Sequence, residues 1–401
     1  MRKVLLLSIV VLATALGGCS SSGGDTRTVL VDYQSDDFAG TFRGYYPRNI
    51  EVKPGMTVKF HQTWTGEPHT VTLGSEVQKR LEPLMDVIEN TYPKEPGEEE
   101  AQAAGITEEQ MGAQEQLPFF FGETGTTPAA TQPCFVAKGL PADGKRCAER
   151  DLPDFDGTAG YYNSGFIPYL GENGNNFELK IADDAKAGSY IYYCTLHGAA
   201  MSGKVIVKDS GDIPSQGEVN RQARQEVERL EKPLFAQLEK ERAGKGEFAT
   251  DNLAGSGDAS TFGLLGQVNE FSPRNVAAKV GEPVTWTFIG NHTISFNVPE
   301  YVPYYYVKKN GTVVQSESIY APHGGWPTRA EPLPDLGGPT FVAPVPTVTI
   351  NAGDFDGSGG LKSSGVDWET GDKYQVTFAK AGTYPYACLV HPGMIGKVVV
   401  S

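Results

Sequence analysis

Short stretches of alternating apolar and polar residues, separated by turns rich in glycine and proline, run through most of the chain. Residues 49–60 and 275–286 both alternate with a period of two, which is typical of half-buried β-strands. Residues 216–242 differ, because their apolar positions follow helical spacing: Val219, Ala223, Val227, Leu230, Leu234 and Leu238. The pattern predicts an all-β fold with a short helical connector of one or two amphipathic helices, broken near Pro233.

A diverged internal repeat divides the chain into two halves. Residues 47–60 match residues 273–286 at a constant offset of 226, and each segment is followed by a histidine. Near the end of each half, residues 186–207 match residues 380–400. Both segments contain an Ala-Gly-x-Tyr strand that leads to a cysteine, and then a Gly-Lys-Val strand. Matched blocks at both ends of each half predict two homologous β domains.

The repeat and the segments around it predict the organisation of the whole chain. We expect a signal segment at 1–18, a Ser/Gly tether at 19–26, a first domain at 27–208, a helical connector and linker at 209–260, and a second domain at 261–401. Within the connector, residues 254–260 are expected to be a Gly/Ser linker. Each domain carries a long insertion, at about 75–160 and at about 300–352. Residues 76–90 of the first insertion are expected to be helical.

The first residues have the features of an export signal. Arg2 and Lys3 precede an apolar run, residues 4–16, that is too short to span a bilayer. Leu16-Gly17-Gly18-Cys19 then resembles a bacterial lipobox, in which the signal is cut before a cysteine that receives a lipid. A plain signal peptide with a chance cysteine is the alternative. We expect an exported protein, anchored through Cys19 to the outer face of a bacterial membrane, at the cell surface or in the periplasm.

The charge of the chain excludes some classes of partner. The 401 residues carry a formal net charge of −15 at pH 7. Because nucleic acids and anionic membrane surfaces require clustered Lys and Arg, this charge argues against both as partners. Hydrophobic residues make up 39% and charged residues 21% of the chain, as in soluble globular proteins.

The five cysteines differ in their sequence context. Cys19 belongs to the lipobox, and Cys194 and Cys388 lie in the matched blocks. Cys134 and Cys147 remain, within one stretch rich in proline and glycine. In an oxidising compartment these two are expected to form a disulfide, which contributes about 3 kcal/mol for such a loop in the chain-entropy model. Two free thiols are the alternative.

Each half supplies the set of side chains that holds a mononuclear copper ion. Two imidazoles and a thiolate in a trigonal plane, with a weak axial thioether, suit both Cu(I) and Cu(II). The candidate ligands are His69, Cys194, His197 and Met201 in the first half, and His292, Cys388, His391 and Met394 in the second. In each set the cysteine ends a strand, the later histidine and the methionine lie on the loop before the next strand, and the first histidine comes from a distant strand. The alternative for both methionines is a packing role, and we expect His61 and His323 to be surface or strand residues outside these sites.

With these motifs the chain resembles the plastocyanin/azurin-like cupredoxin (blue copper) family, in both repeats but not in the insertions or the connector. The resemblance implies two Greek-key β-sandwiches, each with one copper ion held at one end by the ligands named above. It also implies that electrons pass through the exposed imidazole edges of His197 and His391. Thr70 and Thr293 stand where plastocyanin-like sites commonly have asparagine, so the hydrogen bonding near the sulfur departs from the family pattern.

The resemblance favours an electron carrier, not an enzyme, that exchanges single electrons with redox partner proteins. A copper storage or delivery protein is the second interpretation, although a closed Cys/His/His/Met site should hold copper too firmly for easy release. A multicopper oxidase or a copper nitrite reductase would be an enzyme built from similar domains. An oxidase cluster needs many more histidines, usually in H-x-H pairs, and this chain has only 6 histidines and no such pair. A metal-free sandwich fits the ligand sets least.

Overall fold

The computed structural model describes most of both halves. The described residues are 26–35, 38–63, 68–92, 98–113, 117–118, 121–122, 125–126, 128–142, 147–167, 175–245, 248, 251–256, 266–299, 305–307, 313–315, 347–366, 370–391 and 393–401. The expected signal segment with Cys19, and His323 in the second insertion, lie outside these residues. Within them, β-strands predominate and form several sheets, which confirms the predicted all-β fold class.

Among its described residues, the first half contains twelve strands and four short or medium helices. The strands are β1 (Thr26–Gln34), β2 (Gly40–Tyr46), β3 (Asn49–Val52), β4 (Thr57–Gln62), β5 (Thr72–Leu73), β6 (Phe121–Gly122), β7 (Gly125–Thr126), β8 (Pro133–Val136), β9 (Tyr161–Ser164), β10 (Asn176–Lys180), β11 (Gly188–Cys194) and β12 (Gly198–Val207). The helices are α1 (Ser75–Thr91), α2 (Glu98–Ala103), α3 (Glu108–Ala113) and α4 (Pro128–Thr131). All four helices fall within the first insertion, and α1 confirms the helix expected at 76–90.

A long helix, α5 (Gln216–Arg242), leads to the second half. The strands that follow are β13 (Asn252–Ser256), β14 (Gly266–Ser272), β15 (Asn275–Ala278), β16 (Pro283–Phe288), β17 (Ser295–Phe296), β18 (Tyr305–Val307), β19 (Val313–Gln315), β20 (Thr349–Phe355), β21 (Lys362–Ser363), β22 (Lys373–Phe378), β23 (Gly382–Ala387) and β24 (Ile395–Val400). Among the residues that the structure describes, no helix is both long enough and apolar enough to cross a membrane.

The two halves pair their strands in the same way. β1 runs parallel to β4 and antiparallel to β2, as β13 does to β16 and β14. β3 runs parallel to β12, as β15 does to β24. Side chains from two sheets meet in one buried cluster in each half: Phe60 with Tyr192 in the first, and Trp286 with Tyr386 in the second. Each half therefore buries its core between two sheets, as the alternating pattern requires.

A single sheet continues through both halves. Its nine strands follow the order β10-β4-β1-β2-β14-β13-β16-β22-β20. The halves join where β2 pairs with β14 in antiparallel register, with Phe42 opposite Gly266 and Thr41 opposite Gln267. The second sheets remain separate, one with the order β3-β12-β11-β5-β9-β8 and the other β15-β24-β23-β17-β21. Because backbone hydrogen bonds connect the halves, residues of β2 are held in fixed positions beside residues of β14.

The connector is one continuous helix, so the break predicted near Pro233 is wrong. All six of its predicted apolar positions are buried: Val219 lies in the core of the first half, and the other five pack against Phe42, Tyr46 and Val268 on β2 and β14. An interior proline costs about 3 kcal/mol relative to alanine. Burial of a single leucine contributes about 1.5–3 kcal/mol, and Leu230 and Leu234 are fully buried on either side of the proline. Packing therefore outweighs the missing hydrogen bond, and α5 covers the junction between the halves.

The linker expected at 254–260 is partly a strand. Residues 252–256 form β13, which pairs with both β14 and β16. Leu253 and Ala254 are buried in it, and Gly255 is required for a close contact described below. The sheet of the second half therefore begins before residue 261, although the composition of the segment is typical of a linker.

The first insertion packs on the outer face of the six-stranded sheet. Leu81 and Met85 of α1 belong to a buried cluster with Ile191 and Tyr193 of β11. The disulfide Cys134–Cys147 lies in the same cluster, with its Cα atoms 5.4 Å apart. Most of the second insertion lies outside the described residues.

Candidate metal centres

Cys194, His197 and His69 meet at one end of the first half. Cys194 is the last residue of β11, and His197 follows in the turn before β12, where its N–H donates to the carbonyl of Cys194 at 3.3 Å. His69 precedes β5. Because β5 pairs with β11, with Thr72 opposite Tyr193, His69 is brought beside Cys194.

The three side chains of this first centre form a compact set. Their ligand atoms lie within 4.8 Å of one another. Nδ1 of His69 is 3.7 Å from Sγ of Cys194, and the ring centroids of His69 and His197 are 4.9 Å apart. His69 and Cys194 are fully buried and His197 is half-buried. A single metal ion could therefore contact all three residues.

The second half builds an equivalent centre from His292, Cys388 and His391. Cys388 follows β23 directly, and His292 precedes β17, which pairs with β23. Nδ1 of His391 lies 3.4 Å from Sγ of Cys388 and 3.2 Å from Nδ1 of His292. All three side chains are buried. The repeat in the sequence is therefore matched by a repeated cluster of donors.

The two candidate methionines are buried beside the cysteines. Met201 belongs to the same apolar cluster as Cys194, and Met394 to the same cluster as Cys388. Met394 precedes β24, and its carbonyl accepts a hydrogen bond from the N–H of Cys388 at 3.0 Å, which closes the ligand loop. Met201 lies within β12, so the expected loop position is wrong for this residue. β12 begins early because a shifted register pairs Gly198 with Cys194.

Threonine hydroxyls connect the strands that carry the donors. In the first centre the N–H of Thr195 donates to Oγ1 of Thr70 at 3.0 Å. In the second, the N–H of Leu389 donates to Oγ1 of Thr293 at 2.9 Å, and the N–H of Thr293 donates to Sγ of Cys388 at 3.4 Å. The residue that follows the first histidine therefore holds the residue that follows the cysteine, although it is threonine and not asparagine.

A buried carboxylate faces His69. Oδ2 of Asp32 lies 2.6 Å from Nε2 of His69, and Oδ1 accepts a hydrogen bond from the N–H of Gly44 at 3.1 Å. Both side chains are completely buried. Since Nδ1 of His69 faces Cys194 and Nε2 faces the carboxylate, the ring is oriented as metal-bound histidines usually are, with the second nitrogen held by an acceptor.

The charges of the first centre shift its titrating groups. Burial alone would lower the pKa of His69, but the charge of Asp32 and the hydrogen bond to it raise this pKa to about 10. Burial alone would raise the pKa of the Cys194 thiol, but hydrogen bonds with His197 and His69 lower it to about 5. The first centre therefore favours the thiolate, which is the form that binds a metal.

The second centre differs in its electrostatics. Burial is the main factor that lowers the pKa of His292 well below its usual value, and the charges of His391 and Arg43 act in the same direction. Burial also raises the pKa of the Cys388 thiol. None of the charges that shift these two pKa values is a carboxylate, and one of them, the charge of Arg43, belongs to the first half.

The imidazole edge of His391 is covered by Gln267 of β14, which is held in turn by Arg43 of the first half. Nε2 of His391 lies 2.8 Å from Nε2 of Gln267, and Oε1 of Gln267 accepts a hydrogen bond from Arg43 at 3.0 Å. Only 1% of His391 is exposed. The exposed edge that the family resemblance implies is therefore wrong for His391, because the pairing of β2 with β14 places other side chains there. His197 keeps partial exposure.

Gly255 makes space for His292. Its φ of 88° lies in the left-handed region, and a Cβ atom there would be 2.0 Å from the carbonyl oxygen of Ile289 and 2.5 Å from Nε2 of His292. No other residue type fits such a position without displacing the imidazole.

Four residues around the centres were not found from the sequence: Asp32, Arg43, Gln267 and Gly255. Asp32 offers one signal, since it is an acidic residue within the apolar run of β1. The other three meet the centres only through contacts between distant parts of the chain. His61 is a satisfied strand residue, as expected: it lies on β4, and its Nδ1 is 2.8 Å from Oδ1 of Asn176.

Comparisons with known proteins found one family model and several solved structures that resemble part of the chain. Residues 357–401 match the family model of copper binding proteins, plastocyanin/azurin family. The chain is similar to the Cu(I) structure of a mutant of amicyanin, at 18% identity over 32% of this chain and 70% of that chain, with a TM-score of 0.17. It is also similar to a novel purple cupredoxin from Nitrosopumilus maritimus, at 22% identity over 33% of this chain and 83% of that chain, with a TM-score of 0.16. No curated protein matches the chain. The resemblance to the plastocyanin/azurin family of copper-binding proteins is thus confirmed through residues 357–401, which carry Cys388, His391 and Met394.

Proposed function

We propose that the protein is a blue-copper electron carrier with one mononuclear copper site in each half. The observation that carries this proposal is the convergence, in both halves, of two imidazoles and a thiol within 4.8 Å at the end of a β-sandwich. The ligands would be His69, Cys194, His197 and Met201 in the first half, and His292, Cys388, His391 and Met394 in the second.

The donor set fits copper better than other common metals. Structural zinc sites are usually closed by four strong donors, whereas two histidines, one cysteine and a weak thioether are typical of blue copper. Copper held there would exchange one electron at a time by changing between Cu(I) and Cu(II). The chain offers donors that suit both oxidation states.

The surrounding residues keep the donors fixed and dry. Thr70 and Thr293 hold the backbone after each cysteine, and five of the six histidine and cysteine donors are buried. A rigid, water-excluded site requires little rearrangement when the charge of the ion changes. The same burial makes release of the metal to a partner slow, which favours electron transfer over copper storage or delivery.

We also propose that the protein is exported and held at the outer face of a bacterial membrane by a lipid on Cys19. The lipobox-like sequence supports this proposal, and so does the disulfide Cys134–Cys147, since such bonds persist in oxidising compartments. Its partners would be redox proteins at that surface.

Metal analysis and visible spectra of the full chain test the copper sites. We expect two copper ions per chain and an intense thiolate-to-copper band. Cys194→Ser and Cys388→Ser should each remove one copper and one share of the band. The double substitution Cys134→Ser/Cys147→Ser is the matched control. It removes two cysteine sulfurs that lie outside the candidate centres, so both coppers should stay in place. A chain that binds no copper, or binds it without this band, would contradict the proposal.

A further inference from the structure

The ligand loops of both candidate centres lie where the two halves meet. Leu196, next to His197, packs against the apolar cores of both halves. Phe166 of the first half is buried in the core of the second. On the other side, His391 is covered by Gln267 and, beyond it, by Arg43 of the first half. The histidine edge of the second centre therefore faces Gln267, with Arg43 of the first half behind it, and not solvent.

A short series of contacts connects a histidine of one centre to a histidine of the other. The donor–acceptor distances along it are 2.6, 3.1, 3.0 and 2.8 Å. The series runs in the order His69, Asp32, Gly44, Arg43, Gln267 and His391. Gly44 and Arg43 are neighbours on β2, so the middle of the series consists of the peptide bond between them and the side chain of Arg43.

The two charged residues of this series have opposite signs. Asp32 is 0% exposed and contacts His69, whereas Arg43 is 3% exposed and contacts the amide that covers His391. Charges act strongly on one another where water is excluded. A carboxylate beside a ligating histidine stabilises Cu(II) and lowers the reduction potential, and a nearby cation stabilises Cu(I) and raises it.

We propose that Asp32 and Arg43 make the reduction potential of the first centre lower than that of the second, so that the first centre passes electrons to the second across the junction. With copper in both sites, one electron would leave the first centre, where Cu(I) would become Cu(II), and would enter the second, where Cu(II) would become Cu(I). No proton or covalent bond changes. Asp32 and Arg43 are positioning residues, since each acts through a histidine. The inference rests on the proposed function, because it requires copper in both halves.

Reduction potentials of the copper-loaded full chain test this order. Cys388→Ser leaves the first centre alone and Cys194→Ser leaves the second, so each potential can be measured by spectroelectrochemical titration. We expect the first to be lower. Asp32→Asn should raise the first potential by at least about 59 mV, which is a tenfold change in the equilibrium constant for one electron. Asparagine suits this position because the φ of Asp32 is 64°, in a region that it tolerates.

Arg43 provides the complementary pair of variants. Arg43→Met should lower the potential of the second centre and leave the first unchanged, whereas Arg43→Lys keeps the charge and should preserve the order. A further readout is the rate at which one electron, added per chain, moves from the first centre to the second. Because this transfer takes place within one chain, its rate should not depend on protein concentration. Equal or reversed potentials, or a redistribution rate proportional to protein concentration, would overturn the inference. If neither single-centre variant shows a thiolate-to-copper band, it is instead the proposed function that fails.

Discussion

The side-chain amide of Gln267 lies 2.8 Å from Nε2 of His391, so a residue of β14 occupies the edge through which a blue-copper histidine would meet an external partner. Gln267 is held in turn by Arg43 of the first half. The ring of His391 is therefore held by a residue of its own half, and that residue is held in turn by a contact across the junction of the two halves.

This contact predicts that Gln267→Ala weakens copper binding at the second centre. When His391 binds a metal through Nδ1, its Nε2 carries the proton, so the amide of Gln267 has to face it with Oε1. Loss of such an acceptor typically costs about 10–100-fold in metal affinity. We expect a loss of that size at the second centre and none at the first, measured by competition with a copper chelator in the single-centre variants. Gln375→Ala is the control, because the side chain of Gln375 donates to Thr285 on the neighbouring strand. An unchanged affinity in Gln267→Ala would show that the contact does not orient the ligand.

The cysteine and the later histidine of each candidate centre could be predicted from the sequence because their spacing is local and occurs twice. Cys388 and His391 are three residues apart, and the same spacing separates Cys194 and His197. The apolar stripe of α5 is also local, and all its members are buried. Pattern alone could not show that packing on β2 and β14 would carry the helix through Pro233.

The surroundings of the donors could not be predicted, since they depend on register between distant strands. Gln267 precedes His391 by 124 residues, and Arg43 lies 224 residues before Gln267. Their contact follows from the pairing of β2 with β14, and nothing in either segment indicates that pairing. In the same way Gly255 resembles a linker residue until the position of His292 is known.

We predict that Gly255→Ala damages the second centre. The left-handed conformation costs a residue with a Cβ about 1–2 kcal/mol, and here the new methyl would also meet Ile289 and His292. We expect a larger loss in the free energy of unfolding than this strain alone, together with loss of copper from the second centre only. Gly244→Ala is the matched control: its φ is 70° and nothing lies within 4 Å of its Cβ position, so it should show the strain alone. Equal effects of the two variants on copper content would contradict the close contact.

We predict that Leu234→Ala destabilises both halves together. Leu234 is fully buried between α5 and the β2–β14 junction, and removal of such a side chain costs about 2–5 kcal/mol. Because the nine-stranded sheet and α5 span both halves, denaturant unfolding followed by fluorescence and by the copper band should shift as one transition. Lys232→Ala, on the exposed side of the same helix, should change the free energy by less than about 0.5 kcal/mol. Separate transitions, with only one shifted, would show that the halves are energetically independent.

Removal of the capping box at the start of α5 should lower the free energy of unfolding, and the carboxylate of the box should make this free energy depend on pH. The Ser215 side chain accepts from the N–H of Glu218, whose carboxylate accepts from Ser215. Removal of such a cap costs about 1 kcal/mol, so Ser215→Ala should lower the free energy of unfolding by this amount at neutral pH. Ser210→Ala is the control, since the hydroxyl of Ser210 is exposed and donates to the adjacent Asp209.

The pH dependence follows from the carboxylate of that box. Hydrogen bonds from the backbone and side chain of Ser215 lower the pKa of Glu218 below its usual value of 4.5. A carboxyl group whose pKa is lower in the folded state contributes stability above 4.5, and this contribution is lost as the pH falls through the folded-state pKa. Glu218→Gln keeps an acceptor for the box but removes the titration. We therefore expect the decline of stability on acidification to be shallower in Glu218→Gln than in the unaltered chain, measured by urea unfolding at a series of pH values. An identical decline would mean that the carboxylate is not held by Ser215 in solution.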